Sequence, residues 1–246
     1  MSGLGDAVRY LTIVPFPGSS RGHDQLGRAA PWFPVVGLGI GAALVVGEWV
    51  TVRLFGPLLA ALVIVTMWKL ASGGLHLDGL ADCFDGLMGR DAEHRLIIMR
   101  DSRIGAFGAI GLILFLMLEI AAVAELPSPQ RAATLAVAPA VARAMPLVLS
   151  RWFGSARAEG QGATFRAALG PVAAPLGLAM AVVVAGVALG WMGVVGVALA
   201  ALVAVALGTF MSRRIGGVTG DVHGAAVELS ELAMLLTVSA WLNVQG

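Results

Sequence analysis

Seven apolar stretches, each of roughly 20 residues and nearly free of charged side chains, restrict what this chain can fold into. A helix of about 20 apolar residues crosses the hydrocarbon core of a bilayer. Because backbone polar groups cannot stay unpaired in lipid, such segments must be helical. The stretches therefore predict an all-α fold, a polytopic membrane helical bundle of about seven transmembrane helices, in a single integral membrane domain over residues 1–246. The predicted spans are residues 32–50, 54–70, 104–124, 132–149, 172–190, 191–211 and 225–242.

The composition excludes several other classes of protein. Apolar residues make up 58% of the chain and charged residues 13%, whereas ordinary soluble domains hold about 45–50% and about 25%. The formal net charge of +1 offers no basic surface for a polyanion. The only cysteine, Cys83, excludes an internal disulfide and a zinc site built from cysteines. We therefore expect membrane lipid, and no nucleic acid, among the partners.

Basic residues are distributed unevenly between the two sides of the predicted bundle. Most of the 16 Lys and Arg residues fall in the first 30 residues and in the loops after the second, fourth and sixth spans. Cytoplasmic loops carry the excess of Lys and Arg, so this distribution predicts a cytoplasmic N-terminus. Residues 1–30 contain too many charges and prolines to span, and we expect a cytoplasmic or interfacial segment there.

Three aspartates at helical spacing follow the second span, in a predicted cytoplasmic loop and helix over residues 72–103. Asp78, Asp82 and Asp85 share one helix face. Like charges stacked beside lipid repel one another, so a cation must offset them. Carboxylate oxygens suit Mg²⁺ or Mn²⁺ better than zinc; the alternative is an acidic face neutralised by nearby arginines. His76 flanks the aspartates and could move a proton.

Arg100 and Arg103 lie one helical turn apart, shortly after these aspartates. Guanidinium groups bind phosphate through two parallel hydrogen bonds, so a phosphate ligand is one interpretation. Pairing with the preceding aspartates or with anionic lipid headgroups is the other.

A second acidic motif, at residues 211–231, precedes and enters the last span. Glycines in such a loop let backbone N–H groups approach a phosphate at a helix N-terminus. Asp221 and Glu228 are seven residues apart and would share a helix face, and buried carboxylates there need a metal, an arginine or a proton. The candidate residues of this motif are Gly217, Thr219, Gly220, Asp221, His223 and Glu228.

Two basic residues fall inside predicted spans. We expect Arg143 to pair with Glu119 or another acid, the alternative being a phosphate clamp in a cytoplasmic cavity. Lys69 lies near the cytoplasmic end of its span, and we expect its ammonium to extend to the interface.

Taken together, the motifs resemble those of the cobalamin synthase family, the adenosylcobinamide-GDP ribazoletransferases. Three segments carry the resemblance: Gly-Gly-Leu-His-Leu-Asp-Gly-Leu-Ala-Asp-x-x-Asp-Gly at 73–86, Met-Arg-Asp-Ser-Arg-Ile-Gly at 99–105, and Gly-Val-Thr-Gly-Asp-x-x-Gly-Ala-x-x-Glu at 217–228. Their order and spacing match over essentially the whole chain. The N-terminal Leu-Thr-Ile-Val-Pro is also similar, with Ile13 where the family usually has arginine.

The resemblance implies a Mg²⁺-dependent enzyme of the bacterial cytoplasmic (inner) membrane, with its active site facing the cytoplasm. It would join adenosylcobinamide-GDP to α-ribazole or α-ribazole 5′-phosphate and release GMP. A homo-oligomer or an association with other corrinoid-pathway enzymes is compatible with this. A CDP-alcohol phosphotransferase-like enzyme and an ion-coupled transporter are the alternatives.

The resemblance also implies roles for individual residues. Mg²⁺, or Mn²⁺ in its place, would be held by Asp78, Asp82, Asp85, Asp221 and Glu228. The first three of these aspartates and His76 would be catalytic. The substrate-binding residues would be Arg100, Asp101, Arg103, Gly217, Thr219, Gly220 and His223.

Overall fold

A computed structural model describes residues 3–17, 26–158 and 160–245 of the chain. Helices joined by short loops make up this part, which contains no strand and a single isolated bridge between Ser155 and Val218. The all-α prediction is therefore confirmed. Part of the predicted N-terminal segment, residues 1–2 and 18–25, lies outside the described residues. The helices are α1 Gly3–Leu11, α2 Leu26–Ala29, a 3₁₀ turn Ala30–Trp32, α3 Phe33–Leu54, α4 Pro57–Ala71, α5 Leu75–Gly86, α6 Ala92–Ile98, α7 Ala106–Glu125, α8 Ser128–Trp152, α9 Gln161–Ala168, α10 Ala173–Leu189, α11 Trp191–Ile215 and α12 Gly220–Gln245.

Within the described part, five helical segments are long and apolar enough to cross a membrane: the 3₁₀ turn with α3, then α7, α8, α11 and α12. The other two predicted spans correspond to α4 and α10, each joined at a sharp bend to a shorter helix. The bend is 91° between α4 and α5 and 93° between α9 and α10. The described part of the bundle therefore has five candidate spans, or up to seven if each bent pair counts as one. Gly73 and Gly74 make the first bend, with φ of 62° and 74°, where side chains are disfavoured.

Helix α8 forms the centre of the bundle. It packs against α3, α10, α11 and α12 and is buried along nearly all of its length. The backbones of α3 and α8 touch at Gly37, where a Cβ atom would lie 2.5 Å from Ala140 Cα. Small residues allow such close approach, which stabilises helix packing in lipid where apolar burial gives little drive.

The helices that carry the two acidic motifs, α5 and α12, cross in direct backbone contact. A Cβ atom on Gly79 would lie 2.7 Å from the backbone oxygen of Asp221, and one on Gly224 would lie 3.3 Å from the Cα of His76. Two residues without side chains thus allow segments more than 130 positions apart in sequence to meet. This crossing positions the candidate site.

Candidate active site

Six acidic residues in and near the two motifs form two sets with different surroundings. The first set, at the α5–α12 crossing, lines cavities and consists of Asp78, Asp82 and Asp221. The second set is buried between helices and consists of Glu119, Glu228 and Glu231. Proximity in sequence therefore does not decide which acids act together.

Asp78 lies where two cavities meet. The first cavity has a volume of about 270 Å³, is the more enclosed, and is also lined by Asp221. The second has a volume of about 590 Å³, is more open, and is lined by Asp82 and Arg103. Because Asp78 lines both, groups bound in the two cavities would meet beside its carboxylate.

The carboxylates of the first set are close to one another and have few basic partners. Asp82 lies within electrostatic range of both Asp78 and Asp221. Among the described residues neither Asp78 nor Asp82 forms an ion pair, and Asp221 lies 3.7 Å from the guanidinium of Arg157. Thr219 Oγ1 donates a hydrogen bond to Asp221 Oδ2 at 3.1 Å. Among the described residues, Arg157 is therefore the arginine that neutralises this set: it makes the long contact with Asp221 and lies within electrostatic range of Asp82.

The sequence spacing predicts that Asp85 shares a helix face with Asp78 and Asp82, but its carboxylate binds the start of another helix. The backbone N–H of Gly105 donates to Oδ2 and that of Gly108 donates to Oδ1, each at 2.7 Å. These N–H groups belong to the first turn of α7, whose N-cap position, Gly105, has no side chain to cap it. Asp85 therefore caps α7 from α5, and it lines neither of the two cavities.

Glu228, the other predicted metal ligand outside the cavities, belongs to a buried ion-pair network around Lys69. The ammonium lies 2.7 Å from Glu119, 2.6 Å from Glu228 and 2.9 Å from Glu231. Lys69 is buried, so the expectation that it reaches the interface is wrong. Arg143 lies 2.9 Å from Glu231, which confirms the expected pairing with an acid. Three buried carboxylates would be very costly without these cations, which are therefore part of the bundle's core.

The network also contains the tightest carboxylate cluster. Within the described ranges, its three glutamates are the only set of at least three Asp, Glu, His or Cys residues whose ligand atoms all lie within 4.8 Å of one another. An ammonium already lies against each of them. The structure thus does not bring Glu228 together with the aspartates that line the cavities.

The arginine motif after α6 reaches the second cavity through one of its two arginines. Arg103 is exposed and binds Asp101 through Nε to Oδ1 at 2.9 Å and Nη2 to Oδ2 at 2.6 Å. These hydrogen bonds lower the pKa of Asp101 to about 2. Both residues line the second cavity, whereas Arg100 is exposed and does not line it. Arg103 therefore pairs inside its own loop and not with the aspartates of α5.

The glycine-rich loop before α12 divides into a packing part and a cavity part. Gly217 is buried against the backbone of residues 154–156, where a Cβ atom would lie 2.6 Å from Ala156 N. Thr219 Oγ1 accepts a hydrogen bond from Val222 N at 3.3 Å and so caps α12. Gly220, at the first position of α12, lines the first cavity. Of the two glycines, Gly220 is the one placed to meet a ligand.

Both candidate histidines are buried and line the first cavity. His223 Nε2 lies at 3.0 Å from Ser150 Oγ in a hydrogen bond. His76 lies on α5, one turn before Gly79 and the contact with α12. Both histidines lie in the same cavity as Asp78 and Asp221, so either is placed to transfer a proton there.

Several cavity-lining residues were not identified from the sequence. Arg157 lines a small cavity of about 80 Å³ together with Gly220 and Asp221. It also lines a wider groove that includes Arg151 and Arg166. The sequence shows Arg157 only as a charge in a loop; the bridge between residues 155 and 218 holds that loop beside the start of α12, where Arg157 lies 3.7 Å from Asp221.

Comparison with known proteins matches nearly the whole chain to one family. A family model described as cobalamin-5-phosphate synthase matches residues 3–239. An adenosylcobinamide-GDP ribazoletransferase from Roseiflexus sp. (strain RS-1) is 37% identical over 96% of this chain and 88% of its own length. Proteins of the same name from Ralstonia nicotianae and Geotalea daltonii are 39% and 35% identical, over 96% and 95% of this chain and 93% and 95% of theirs. No solved structure matches the chain.

Proposed function

Because the chain belongs to the cobalamin-5-phosphate synthase family and is a transferase, we propose that it joins adenosylcobinamide-GDP to α-ribazole or α-ribazole 5′-phosphate and releases GMP. The observation that carries this proposal is the meeting of two cavities at Asp78, beside Asp82 and Asp221. A reaction that joins two substrates needs two adjoining binding spaces. A diphosphate substrate also explains why acids, arginines and a helix N-terminus lie around the junction.

The donor chemistry of the junction fits Mg²⁺, with Mn²⁺ as a substitute. Asp78 and Asp82 offer carboxylate oxygens without ion-pair partners among the described residues, and Asp221 adds a third carboxylate from α12. Mg²⁺ in proteins is commonly bound by one or two carboxylates together with substrate phosphates. Bound there, it would neutralise the charge of the diphosphate and of the departing GMP. Asp85 and Glu228 are left out of this ligand set because α7 and Lys69 occupy their carboxylates.

The chain's own residues would orient the substrates and move one proton. A ribose hydroxyl of the acceptor forms a bond to the phosphorus attached to the corrinoid, and the bond from that phosphorus to the oxygen of GMP breaks. The hydroxyl proton passes to Asp78 or His76, which lie at the first cavity. Arg103 and Arg157, at the edges of the cavities, would bind phosphoryl oxygens as charge develops.

We propose that this site faces the cytoplasm of a bacterium with the chain in its inner membrane. The groove beside the junction is lined by Arg151, Arg157 and Arg166. Arginine-rich loops mark the cytoplasmic side of membrane proteins.

A direct assay tests the function. Purified protein is mixed with adenosylcobinamide-GDP, α-ribazole and Mg²⁺, and GMP is measured by chromatography. We expect GMP in proportion to enzyme and none when Mg²⁺ is chelated. Absence of GMP with all three components present would contradict the proposed function.

The Asp82→Asn variant tests the site within the same assay. It should insert into the membrane normally, and its rate of GMP formation should fall at least about a hundredfold. Removing one preorganised electrostatic contact lowers kcat by about this factor in other enzymes. Asp91→Asn is the matched control because Asp91 caps α6 and asparagine caps a helix equally well. Full activity of Asp82→Asn with unchanged Mg²⁺ dependence would rule out the metal assignment.

A further inference from the structure

Aromatic rings from three separate helices form one wall of the first cavity. Tyr10 of α1 stacks on Phe33 of α3, with ring centroids 5.8 Å apart and planes 17° apart. Phe33 stacks in turn on Phe165 of α9, at 5.5 Å and 11°. The ring of His223 meets Phe165 edge-on at 5.8 Å. We call Tyr10, Phe33 and Phe165 the aromatic wall; aromatic rings pair with a further flat ring in offset-stacked or edge-to-face contact.

Two polar side chains of this cavity are paired already, and one lies at the junction with the second cavity. Arg143 is bound to Glu231 and His223 to Ser150. Asp78, in contrast, faces both cavities. The cavity thus suits an amphipathic occupant, with a flat apolar part against the aromatic wall and hydroxyl groups toward Asp78.

The sizes of the two cavities distinguish the two substrates. A volume of about 270 Å³ is near the lower end, roughly 300 Å³, of the usual range for small-molecule sites. A corrin ring bearing a nucleotide is far too large for it. The second cavity, of about 590 Å³ and more open, has Arg103 and Asp82 in its lining and can receive a diphosphate from a large molecule that stays outside.

We propose that the first cavity is the acceptor site, which binds the benzimidazole ring of α-ribazole against the aromatic wall and directs its ribose to Asp78. This inference rests on the proposed function and adds to it the place of one substrate. The donor's diphosphate then enters from the second cavity, so that the attacking hydroxyl and the phosphorus meet at the shared carboxylate. Enclosure of the acceptor keeps water from competing for the diphosphate.

The Phe165→Leu variant tests the assignment, because leucine keeps the site apolar and removes the flat ring. Phe115→Leu is the matched control, since Phe115 is equally buried (3% exposed against 5%) but lies on α7 outside the cavity. Two quantities are measured for each protein: the Kd of α-ribazole by equilibrium dialysis without the corrinoid, and the KM of each substrate in the GMP assay.

We expect Phe165→Leu to raise the Kd and the KM of α-ribazole about tenfold, a typical loss for one aromatic–base stack. The KM of adenosylcobinamide-GDP should stay within about twofold, and Phe115→Leu should change neither KM by more than this. Phe33→Leu, on a different helix, should show the same selectivity and replaces Phe165→Leu if that protein does not fold.

The outcomes separate the two proposals. Wild-type protein that produces no GMP contradicts the proposed function and, with it, the acceptor site. If the wild-type protein is active but the variants of the aromatic wall leave the KM of α-ribazole unchanged, only the proposed acceptor site is overturned. An equal rise in both KM values, or a rise for the corrinoid substrate only, overturns it as well.

Discussion

Replacement of Asp85 by asparagine should destabilise the bundle and leave the metal requirement of the reaction unchanged. In the wild-type protein the carboxylate accepts two backbone hydrogen bonds of 2.7 Å at the start of α7. Asparagine has one acceptor oxygen, and its NH₂ group would face the second N–H. A hydrogen bond to a charged group contributes about 1.5–3 kcal/mol, and a negative charge at a helix N-terminus about 0.3–1 kcal/mol. The expected loss is about 2–4 kcal/mol.

Thermal stability in detergent measures this loss. A change of 1 kcal/mol shifts Tm by about 2–4 °C in a chain of this size, so Asp85→Asn should melt roughly 4–16 °C below the wild type. The size-exclusion peak that remains after heating gives Tm. A Mg²⁺ titration of GMP formation at a temperature where both proteins are folded gives the half-saturating concentration, which should agree within about twofold.

Asp82→Asn provides the opposite case on the same helix. Asp82 has no ion-pair partner among the described residues, so its variant should melt close to the wild type and lose activity. The reasoning about Asp85 would be refuted if Asp85→Asn kept the wild-type Tm and needed much more Mg²⁺ for half-maximal activity. That result would return Asp85 to the metal site.

Three further perturbations follow from the structure. Gly79→Ala places a Cβ atom 2.7 Å from the backbone oxygen of Asp221 and should lower both kcat and Tm, with a stability cost of about 1–3 kcal/mol; Gly39→Ala, with nothing within 4 Å, is the control and should match the wild type in both. Lys69→Met removes the ammonium from between three carboxylates and should cost about 3–5 kcal/mol, seen as little folded protein on size exclusion, whereas Lys69→Arg should recover more. Because the pKa of Asp101 is lowered to about 2, its pairing with Arg103 is present above the ordinary aspartate pKa and is lost only as pH falls through about 2. The pH–rate profiles of wild type and Asp101→Asn should therefore have the same shape between about pH 5 and 8.

Asp85 shows where sequence reasoning about the site reaches its limit. Helical spacing correctly places the three aspartates of α5 on one helix, and it says nothing of what each carboxylate meets. The partner of Asp85 is the start of a helix 20 residues later. Gly105 at the N-cap of α7 indicates that another residue must cap this helix, since a glycine has no capping side chain. This inference requires knowing that α7 begins after Gly105, which the sequence alone does not establish.

The first cavity could not be predicted at all. Its aromatic wall brings together α1, α3 and α9, and single aromatic residues in apolar segments are ordinary core residues. The family resemblance identifies motifs that carry charge, and these lie where we propose that the diphosphate binds. An apolar acceptor site leaves no comparable pattern along the chain.

The sequence by itself determined that this chain is a helical membrane protein, because the length and polarity of a segment decide whether it can lie in lipid. It also determined the family, through acids, arginines and glycines at fixed spacing. Only the tertiary structure decided which acids remain available to a metal. Lys69 and Glu228 are 159 residues apart and form an ion pair of 2.6 Å. A charge in a bundle is neutralised by whichever helix crosses beside it, and the crossing depends on the packing of the whole chain.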